Sequence, residues 1–404
     1  MRNFFSFLLL IFISFLSSCS LSMSREEQEQ NILPTPSIET SEMKSFEDRS
    51  FEKTDWPEKN WWAQYGSKEL NELIEKALKK NPTIQAVQEK IDLAKNRAIV
   101  ARSELFPLVY FNAEDQWQYL SQNGLYRALN PDIALSSSQI DFSLSFSYEF
   151  DFWGKYRNLY RAALGYEKAA IAESAQIELI TAASLAQAYF ALRTNQERKK
   201  LFDHLYEVRK NYFDLQTKML KNALYSRLTP LLSEEDVFQA KQWVYNIEKE
   251  IEVDKHLVNI LAGQGPDEPL DLTEPLVSIA PKLAIPSNIS LELLSRRPDV
   301  MAQVWRVDSL AFEVGAAKAD FWPNINLTAL AGFQSGSWSK IFEWISKTVG
   351  LSPALSLPVY TADKIQANLD AKRSLFNEAV YQYNDLILKS FSEVADLLAI
   401  GKSV

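Results

Sequence analysis

The sequence has few of the residues that metal or disulfide chemistry requires. Its 404 residues include one cysteine, Cys19, and two histidines, His204 and His256. A single cysteine cannot form a disulfide within the chain, and a structural zinc site needs about four ligands. Both histidines lie in helical stretches among Lys, Asp and Glu, where we expect surface residues. The sequence therefore predicts neither a cofactor nor a metal site.

The chain lacks an excess of positive charge, and a catalytic constellation is missing. The formal net charge is −9, whereas a nucleic-acid partner favours a basic surface. Ser and Asp residues are frequent, but nothing completes a nucleophile–base–acid triad. We expect no nucleic-acid binding and no enzymatic activity.

Long apolar runs are absent beyond the N-terminus, where residues 4–16 follow Arg2 and lead into Leu16-Ser17-Ser18-Cys19. No later run approaches the roughly 20 residues of a membrane helix. The N-terminal pattern predicts a signal peptide over 1–18. It resembles a bacterial lipobox, in which the cysteine becomes the lipidated first residue. The alternative is an ordinary signal peptide with a chance Cys19. Residues 19–54 are polar and lack periodicity, which predicts a lipid-anchored flexible tether.

Strict alternation marks residues 140–152, where every even position is apolar and every odd one is Asp, Ser or Glu. Period two is typical of a strand, which we place over about 139–152. It is either a half-buried strand of a soluble sheet or a transmembrane β-strand, which needs roughly 9–11 residues. Asp141, Glu149 and Asp151 lie on the polar side and are candidates to line a lumen, with plain solvation as the alternative. A weaker alternation over about 108–120, interrupted at Asp115, predicts a hairpin partner.

Proline and glycine are scarce after this strand. Residues 155–228 contain no Pro and one Gly, Gly165, and are rich in Ala, the best helix former. They predict a helix of about 66 residues, roughly 100 Å long. The helix must break near Pro230, and a second helix returns to about 262, which completes a helical hairpin over about 155–262. Its turn comprises Lys221, Asn222, Ala223, Leu224, Tyr225, Ser226, Arg227 and Leu228.

The second half of the chain repeats the first. Pro298 and Pro323 follow Pro82 and Pro107 at one common offset along the chain. Alternation returns over about 324–335 and 353–360, and another helix follows from Asp363. We predict two repeats, 55–286 and 287–404. Four strands cannot close, and an open sheet edge cannot exist in lipid, so the chain must oligomerise. Three copies would supply twelve strands around a wet lumen.

Several motifs resemble the TolC-type outer-membrane efflux channels, in particular their lipoprotein branch. They are Leu-Leu-Ser-Arg-Arg-Pro-Asp-Val at 293–300, Gly-Ala-Ala-Lys-Ala-Asp-Phe-Trp-Pro at 315–323, Trp61-Trp62 with the helix after it, and Tyr-Glu-Phe-Asp-Phe-Trp-Gly-Lys at 148–155. The resemblance implies an α+β membrane protein, a homotrimer with a twelve-stranded β-barrel in the outer membrane and a periplasmic α-barrel of long helical hairpins. It implies passive export of small molecules such as drugs, driven by an inner-membrane efflux pump through a periplasmic adaptor (membrane fusion) protein.

In this resemblance the hairpin turn, 221–228, faces the inner membrane, so we expect it to dock the adaptor; an ordinary solvent-exposed turn is the alternative. The family turns at a Gly-Leu beside an Asp, where this chain has Ala223-Leu224 and Thr229. If the second repeat mirrored the first, its hairpin would extend far beyond Val404, so we expect a truncated second hairpin without the family's gate residues. The alternative function is a lipid-anchored helical envelope tether or non-conducting interaction protein, which would not need alternating strands.

Overall fold

The computed structural model describes residues 31–32, 60–222, 224, 226–270, 272 and 296–403. The predicted signal peptide and Cys19 lie outside these residues, as do Ala223 and Tyr225 of the hairpin turn. Of the predicted tether, 19–54, only Asn31 and Ile32 are described.

Helices and strands follow one another in the predicted order. The elements in the described ranges are α1 (Lys68–Lys80), α2 (Pro82–Ser103), β1 (Leu108–Tyr119), α3 (Leu125–Leu129), β2 (Ser136–Glu149), α4 (Lys155–Lys221), α5 (Leu228–Leu261), α6 (Pro298–Ala319), β3 (Asn324–Ser335), β4 (Lys347–Ser356) and α7 (Lys364–Ser403). Short 3-10 turns at Trp61–Tyr65 and Trp344–Ser346 precede α1 and β4.

The internal repeat predicted from the sequence is confirmed. Helices α2 and α6 each have 22 residues, and strands β1 and β3 each have 12. Helix α6 starts at Pro298 and β3 starts at Asn324, so both follow their counterparts α2 and β1 at the offset that relates the prolines. The long helix α4 has 67 residues, close to the prediction. The repeated unit is therefore a helix followed directly by a strand.

The four strands form one antiparallel sheet in the order β1-β2-β3-β4. Two boundaries differ from the prediction. Strand β2 covers Ser136–Glu149 and not 139–152, because backbone pairing with β1 continues through residues 136–139, where no apolar alternation marks it. Strand β4 covers Lys347–Ser356 and not 353–360. Pro353 does not start β4 but lies within it, which an edge strand tolerates because part of its backbone has no partner strand.

The chain divides into two compact units. The first, the sheet unit, contains Leu93–Ala169 and Gln303–Ile387, and therefore all four strands. Its helical core joins Val314 of α6 to Phe376 and Val380 of α7. Glu313 accepts hydrogen bonds from the Tyr166 hydroxyl at 3.0 Å and from Lys372 at 2.7 Å. These contacts fix the helices that flank the sheet.

The second unit, the hairpin unit, contains Ala170–Ala302 with the described residues of Thr35–Asp92 and Leu388–Val404. Its core packs Leu185 and Leu192 of α4 against Ile247 and Val258 of α5. Helix α1 adds further buried residues, Leu70, Leu73, Ile74 and Ala77. Small and aliphatic side chains let the long antiparallel helices pack side by side, as in a coiled coil.

Candidate functional site

The sheet has two chemically different faces. Residues that pair across antiparallel strands lie on the same face, and the register places the odd positions of β2 opposite the even positions of β1 and β3. The resulting polar face carries Asn112, Glu114 and Gln116 of β1, Asp141, Ser143, Ser145, Ser147 and Glu149 of β2, Asn326, Thr328 and Gln334 of β3, and Thr348 and Ser352 of β4. The polarity predicted for one strand thus extends over all four.

Asp141 is one of a pair of carboxylates on this polar face. Glu114 of β1 is directly opposite it, and Gln334 of β3 donates a hydrogen bond to its Oδ2 at 3.4 Å. Directly opposed side chains in an antiparallel pair lie about 5 Å apart between Cβ atoms, so the two carboxylates reinforce each other's negative potential. Asp141 was predicted from its sequence pattern, whereas Glu114 was not, because only the register of the sheet brings Glu114 beside Asp141.

Glu149 occupies the last position of β2 on the same face. Its Oε2 accepts a hydrogen bond from the Tyr156 hydroxyl at 2.9 Å. Burial raises the pKa of the Tyr156 hydroxyl, and the bond to Glu149 raises it further. The Tyr156 hydroxyl therefore stays protonated and donates to Glu149.

Asp151, the third predicted lumen residue, lies beyond the end of β2. Its carboxylate accepts hydrogen bonds from the backbone N–H groups of Tyr156 at 3.1 Å and Arg157 at 3.0 Å. The Arg157 guanidinium also binds this carboxylate, at 3.2 Å. These are the unsatisfied donors of the first turn of α4, so Asp151 caps that helix. The prediction that Asp151 belongs to the strand is wrong, because its carboxylate is committed to the helix start.

A tight joint connects the strands to the helices. The Trp153 ring stacks on Trp322, with centroids 4.8 Å apart, and its indole N–H donates to the Pro323 carbonyl at 2.8 Å. Lys155 pairs with Asp320 at 2.8 Å. The junction between β2 and α4 is thereby joined to the junction between α6 and β3.

The opposite face of the sheet is apolar and largely uncovered. Its exposed side chains include Phe111 (68% exposed), Leu144, Val349 (79%), Leu351 and Leu355. Asp115, the residue that interrupted the alternation of β1, also lies on this face. Its two carboxylate oxygens accept hydrogen bonds from the Ser138 hydroxyl and from the Trp338 indole, the latter at 3.0 Å.

The hairpin turn presents a group of leucines to solvent. Helix α4 ends at Lys221 and α5 begins at Leu228, with Pro230 in its first turn, where the missing N–H costs no hydrogen bond. Behind the turn, the buried Ser233 hydroxyl donates to Gln216 at 3.0 Å. The exposed leucines are Leu224, Leu228, Leu231 and Leu232, each 56–66% exposed. Leu231 and Leu232 were not among the predicted turn residues, although the density of leucines around Pro230 was a usable signal.

The other charged motif singled out by its sequence, Arg296-Arg297 before Asp299, forms an ion-pair cluster at the start of α6. Arg297 contacts Asp299 at 2.7 Å and Glu393 at 2.6 Å. Burial opposes ionisation of Asp299, but the hydrogen bond and charge of Arg297 outweigh it and hold the pKa of this carboxyl below its usual range.

Within the described ranges, no group of three or more His, Cys, Asp or Glu residues is arranged to hold a metal ion. None of the helices in them carries a stretch both long and apolar enough to cross a membrane.

Comparisons with known proteins agree with this architecture. The sequence model of the outer membrane efflux protein family matches residues 73–250 and 289–400. The multidrug resistance outer membrane protein MdtQ of Escherichia coli O6:H1 is 26% identical over 349 residues, which covers 85% of this chain and 73% of that protein.

Solved structures share the fold. The outer membrane protein VceC of Vibrio cholerae superimposes with a TM-score of 0.79 at 27% identity, over 86% of this chain and 82% of that one. The outer membrane channel CmeC of Campylobacter jejuni superimposes with a TM-score of 0.81 at 22% identity, over 94% and 79% of the two chains.

Proposed function

Because this chain belongs to the outer membrane efflux protein family and is an outer-membrane efflux channel, we propose that it works as a homotrimeric exit duct. The duct would pass small molecules such as drugs, in keeping with the multidrug resistance for which MdtQ is named. The chain itself supplies no energy in this proposal. An inner-membrane pump would drive export, and a periplasmic adaptor would connect pump and duct.

The observation that carries the proposal is the two-faced sheet with two unpaired edges. Among the residues that the structure describes, strands β1 and β4 each have one neighbouring strand, so each leaves a row of backbone donors and acceptors without a strand partner. Such an edge is incompatible with hydrocarbon, and barrels start at about eight strands. Pairing β4 of one copy with β1 of the next would remove every edge. Three copies of the four-stranded sheet would close into twelve strands with the apolar face toward lipid.

The polar face would then line the lumen. Glu114 and Asp141, which lie opposite each other, would form one negative ring, and Glu149 would form a second ring at another level of the barrel. Rings of carboxylates favour cations and leave a wide pore permissive toward neutral solutes. Asp151 would contribute to the helix start and not to the lumen, because its oxygens are bound to the first turn of α4.

The hairpin turn, 221–228, is our candidate for the adaptor contact. Its exposed leucines Leu224 and Leu228, together with Leu231, would supply an apolar centre, and Lys221 and Arg227 would supply a charged rim. An apolar centre with a polar rim is typical of protein interfaces. The docking residues of the proposal are thus the predicted turn extended into α5.

Lipidation would hold the N-terminus at the outer membrane. We propose removal of residues 1–18, a lipid on Cys19, and a tether over 19–54 before the two repeats, 55–286 and 287–404. Mass spectrometry of the purified protein tests the lipid directly, and a Cys19→Ala variant is the control. An unmodified Cys19 in the mature chain would contradict this anchor without affecting the trimer.

Light scattering of the purified protein in detergent tests the trimer. We expect three chains per particle, after correction for bound detergent. A monomer would contradict the duct and favour the lipid-anchored tether.

A further inference from the structure

The loop between β3 and β4, residues 336–346, folds back onto the apolar face of the sheet. Ile341 is only 1% exposed. The Phe342 ring stacks on Phe142 of β2 at 5.7 Å between centroids and meets Phe333 of β3 edge-on at 6.2 Å. Trp338 meets the same Phe142 ring edge-on at 6.0 Å. The loop therefore covers one end of the apolar face, and no other described segment of the chain covers exposed residues of this face such as Val349 and Leu351.

Hydrogen bonds to Asp115 hold the loop on the apolar face, and we call this contact the latch. Asp115 lies on the apolar face, opposite Ile140, and is exposed. Against lipid, a lone carboxylate at this position would be costly to keep. The Trp338 indole N–H binds Asp115 Oδ2 at 3.0 Å, and the Ser138 hydroxyl binds Oδ1. Charge-assisted hydrogen bonds of this kind are among the stronger ones. The single break in the alternation of β1 is thus the attachment point of the loop.

The outer side of the loop is strongly apolar and exposed. Phe342 and Trp344 are each 74% exposed, and Ile345 is 88% exposed. The Lys347 ammonium lies 4.4 Å from the centre of the Trp344 ring, and the side chain of Lys340 is also exposed. Large exposed apolar groups are unfavourable in water and mark contact sites. Trp beside Lys is typical of the boundary between hydrocarbon and headgroups.

The topology assigns this loop to one side of the membrane. Helices α2, α4, α6 and α7 all attach to the same end of the sheet, and the loops 120–135 and 336–346 join the strands at the opposite end. If the helices are periplasmic, as in the proposed function, the loops lie at the outer leaflet. The apolar face continues from the loop along β4 through Val349 and Leu351.

We propose that the loop 336–346 is a membrane anchor that inserts Trp344 and Ile345 into the headgroup boundary of the outer leaflet. Lys340 and Lys347 would pair with lipid phosphates, and the bond between Asp115 and Trp338 would keep the loop against the barrel wall. The inference rests on the proposed function, in which the apolar face meets lipid. The lipid is the occupant that matches both the continuous apolar surface and the positive charges beside it.

Site-specific fluorescence tests the anchor. An Ile345→Cys variant of the full chain is labelled with the environment-sensitive dye NBD and reconstituted in vesicles of phosphatidylcholine with a minority of phosphatidylglycerol. The unsubstituted chain sets the labelling background from Cys19. Lipids carrying a nitroxide near the headgroup should quench the dye roughly twofold more than lipids with a deep nitroxide, as expected for a boundary position.

Two matched positions separate the loop from the face it covers. Dye at Val349→Cys on the apolar face should be quenched by the lipids, and dye at Gln334→Cys on the polar face should not. Quenching at 349 without quenching at 345 would overturn the anchor and leave the lipid-facing sheet intact. Equal, weak quenching at all three positions would overturn the lipid-facing sheet and the anchor with it.

The latch has its own test in the Ile345→Cys background. Asp115→Ala and Trp338→Phe should each lower the quenching by the headgroup nitroxide, roughly twofold, because the freed loop leaves the boundary. Ser337→Ala is the control, because the Ser337 hydroxyl bonds to Ser339 within the loop. Oligomeric mass in detergent identifies any variant that fails to assemble. Unchanged quenching in an assembled Asp115→Ala or Trp338→Phe variant would overturn the latch.

Discussion

At the scale of single residues, Gly165 lies where α4 packs against α6 with no room for a side chain. A Cβ atom placed on it would meet the Ser309 hydroxyl oxygen, and the Trp305 carbonyl lies at 3.3 Å from the same position. Ser309 is fully buried and donates to the Trp305 carbonyl at 2.7 Å. Without these neighbours, alanine would favour the helix over glycine by about 1 kcal/mol. The tight packing against Ser309 and Trp305 therefore explains why the long Pro-free stretch contains a glycine at this position.

We expect Gly165→Ala to lower the thermal stability of the assembled protein, because overpacking by about 1–3 kcal/mol exceeds the gain in helix propensity. In a Ser309→Ala background the same substitution should cost nothing or stabilise the protein. Melting curves of the four combinations in detergent measure the effect. Additive effects of the two changes would show that the steric account is incorrect.

The Arg297–Asp299 pair makes a prediction about pH. The folded-state pKa of Asp299 is lowered, so this carboxylate stabilises the fold above its unfolded pKa of about 3.9, and the contribution disappears as pH falls through the lower folded value. Asp299→Asn should therefore reduce stability at pH 7 by about 1–2 kcal/mol and approach the parent protein below about pH 4.

Glu393→Gln is the matched control. It removes the other carboxylate that Arg297 contacts, and the side chain of Glu393 is exposed (60%). Its effect at neutral pH should be much smaller, as for surface ion pairs generally. If the stability difference between Asp299→Asn and the parent protein did not change between neutral and acid pH, the ion pair would not be the cause.

At the scale of elements, the repeat was predictable because prolines and apolar periodicity carry it. The common offset between the two halves predicted the starts of α2 and α6 and of β1 and β3. The ends of strands were not predictable where strand pairing depends on backbone hydrogen bonds alone, as at residues 136–139 of β2. Asp151 was assigned to the strand because the sequence alone does not distinguish an Asp on a strand from an Asp that caps a helix. Glu114 and Trp338 acquire their roles only through the register of the sheet and the return of a loop.

The hairpin turn is the element that carries the partner prediction. Leu224→Asp combined with Leu228→Asp should abolish the resistance that the wild-type gene restores to a deletion strain of its native host, because charge is placed in the centre of an apolar contact. The measurement is the minimum inhibitory concentration of exported drugs. Trimer mass in detergent should be unchanged, because both leucines are exposed, 66% and 63%.

Leu125→Asp provides the matched control for these turn variants. Leu125 is similarly exposed, at 72%, but begins the short helix α3 between β1 and β2. Its substitution should leave resistance intact. Full resistance in the turn variants would remove the turn from the docking surface, and equal loss in the Leu125 variant would indicate a general effect of added charge.

At the scale of the whole molecule, the central claim is that copies of a two-faced sheet enclose a conducting lumen. The apolar face requires lipid, the polar face requires water, and the two unpaired edges require strands of neighbouring copies. One oligomer in the outer membrane satisfies all three. The carboxylates Glu114 and Asp141 on the polar face then become the charges that a permeating ion meets.

Single-channel recording in planar bilayers tests this claim most directly. We predict discrete conductance steps with a preference for cations over chloride, and a preference reduced roughly twofold in a Glu114→Gln, Asp141→Asn double variant, because carboxylate rings set ion selectivity. Reversal potentials in a salt gradient measure it. A purified protein that remains monomeric and leaves the bilayer resistance unchanged would contradict the account.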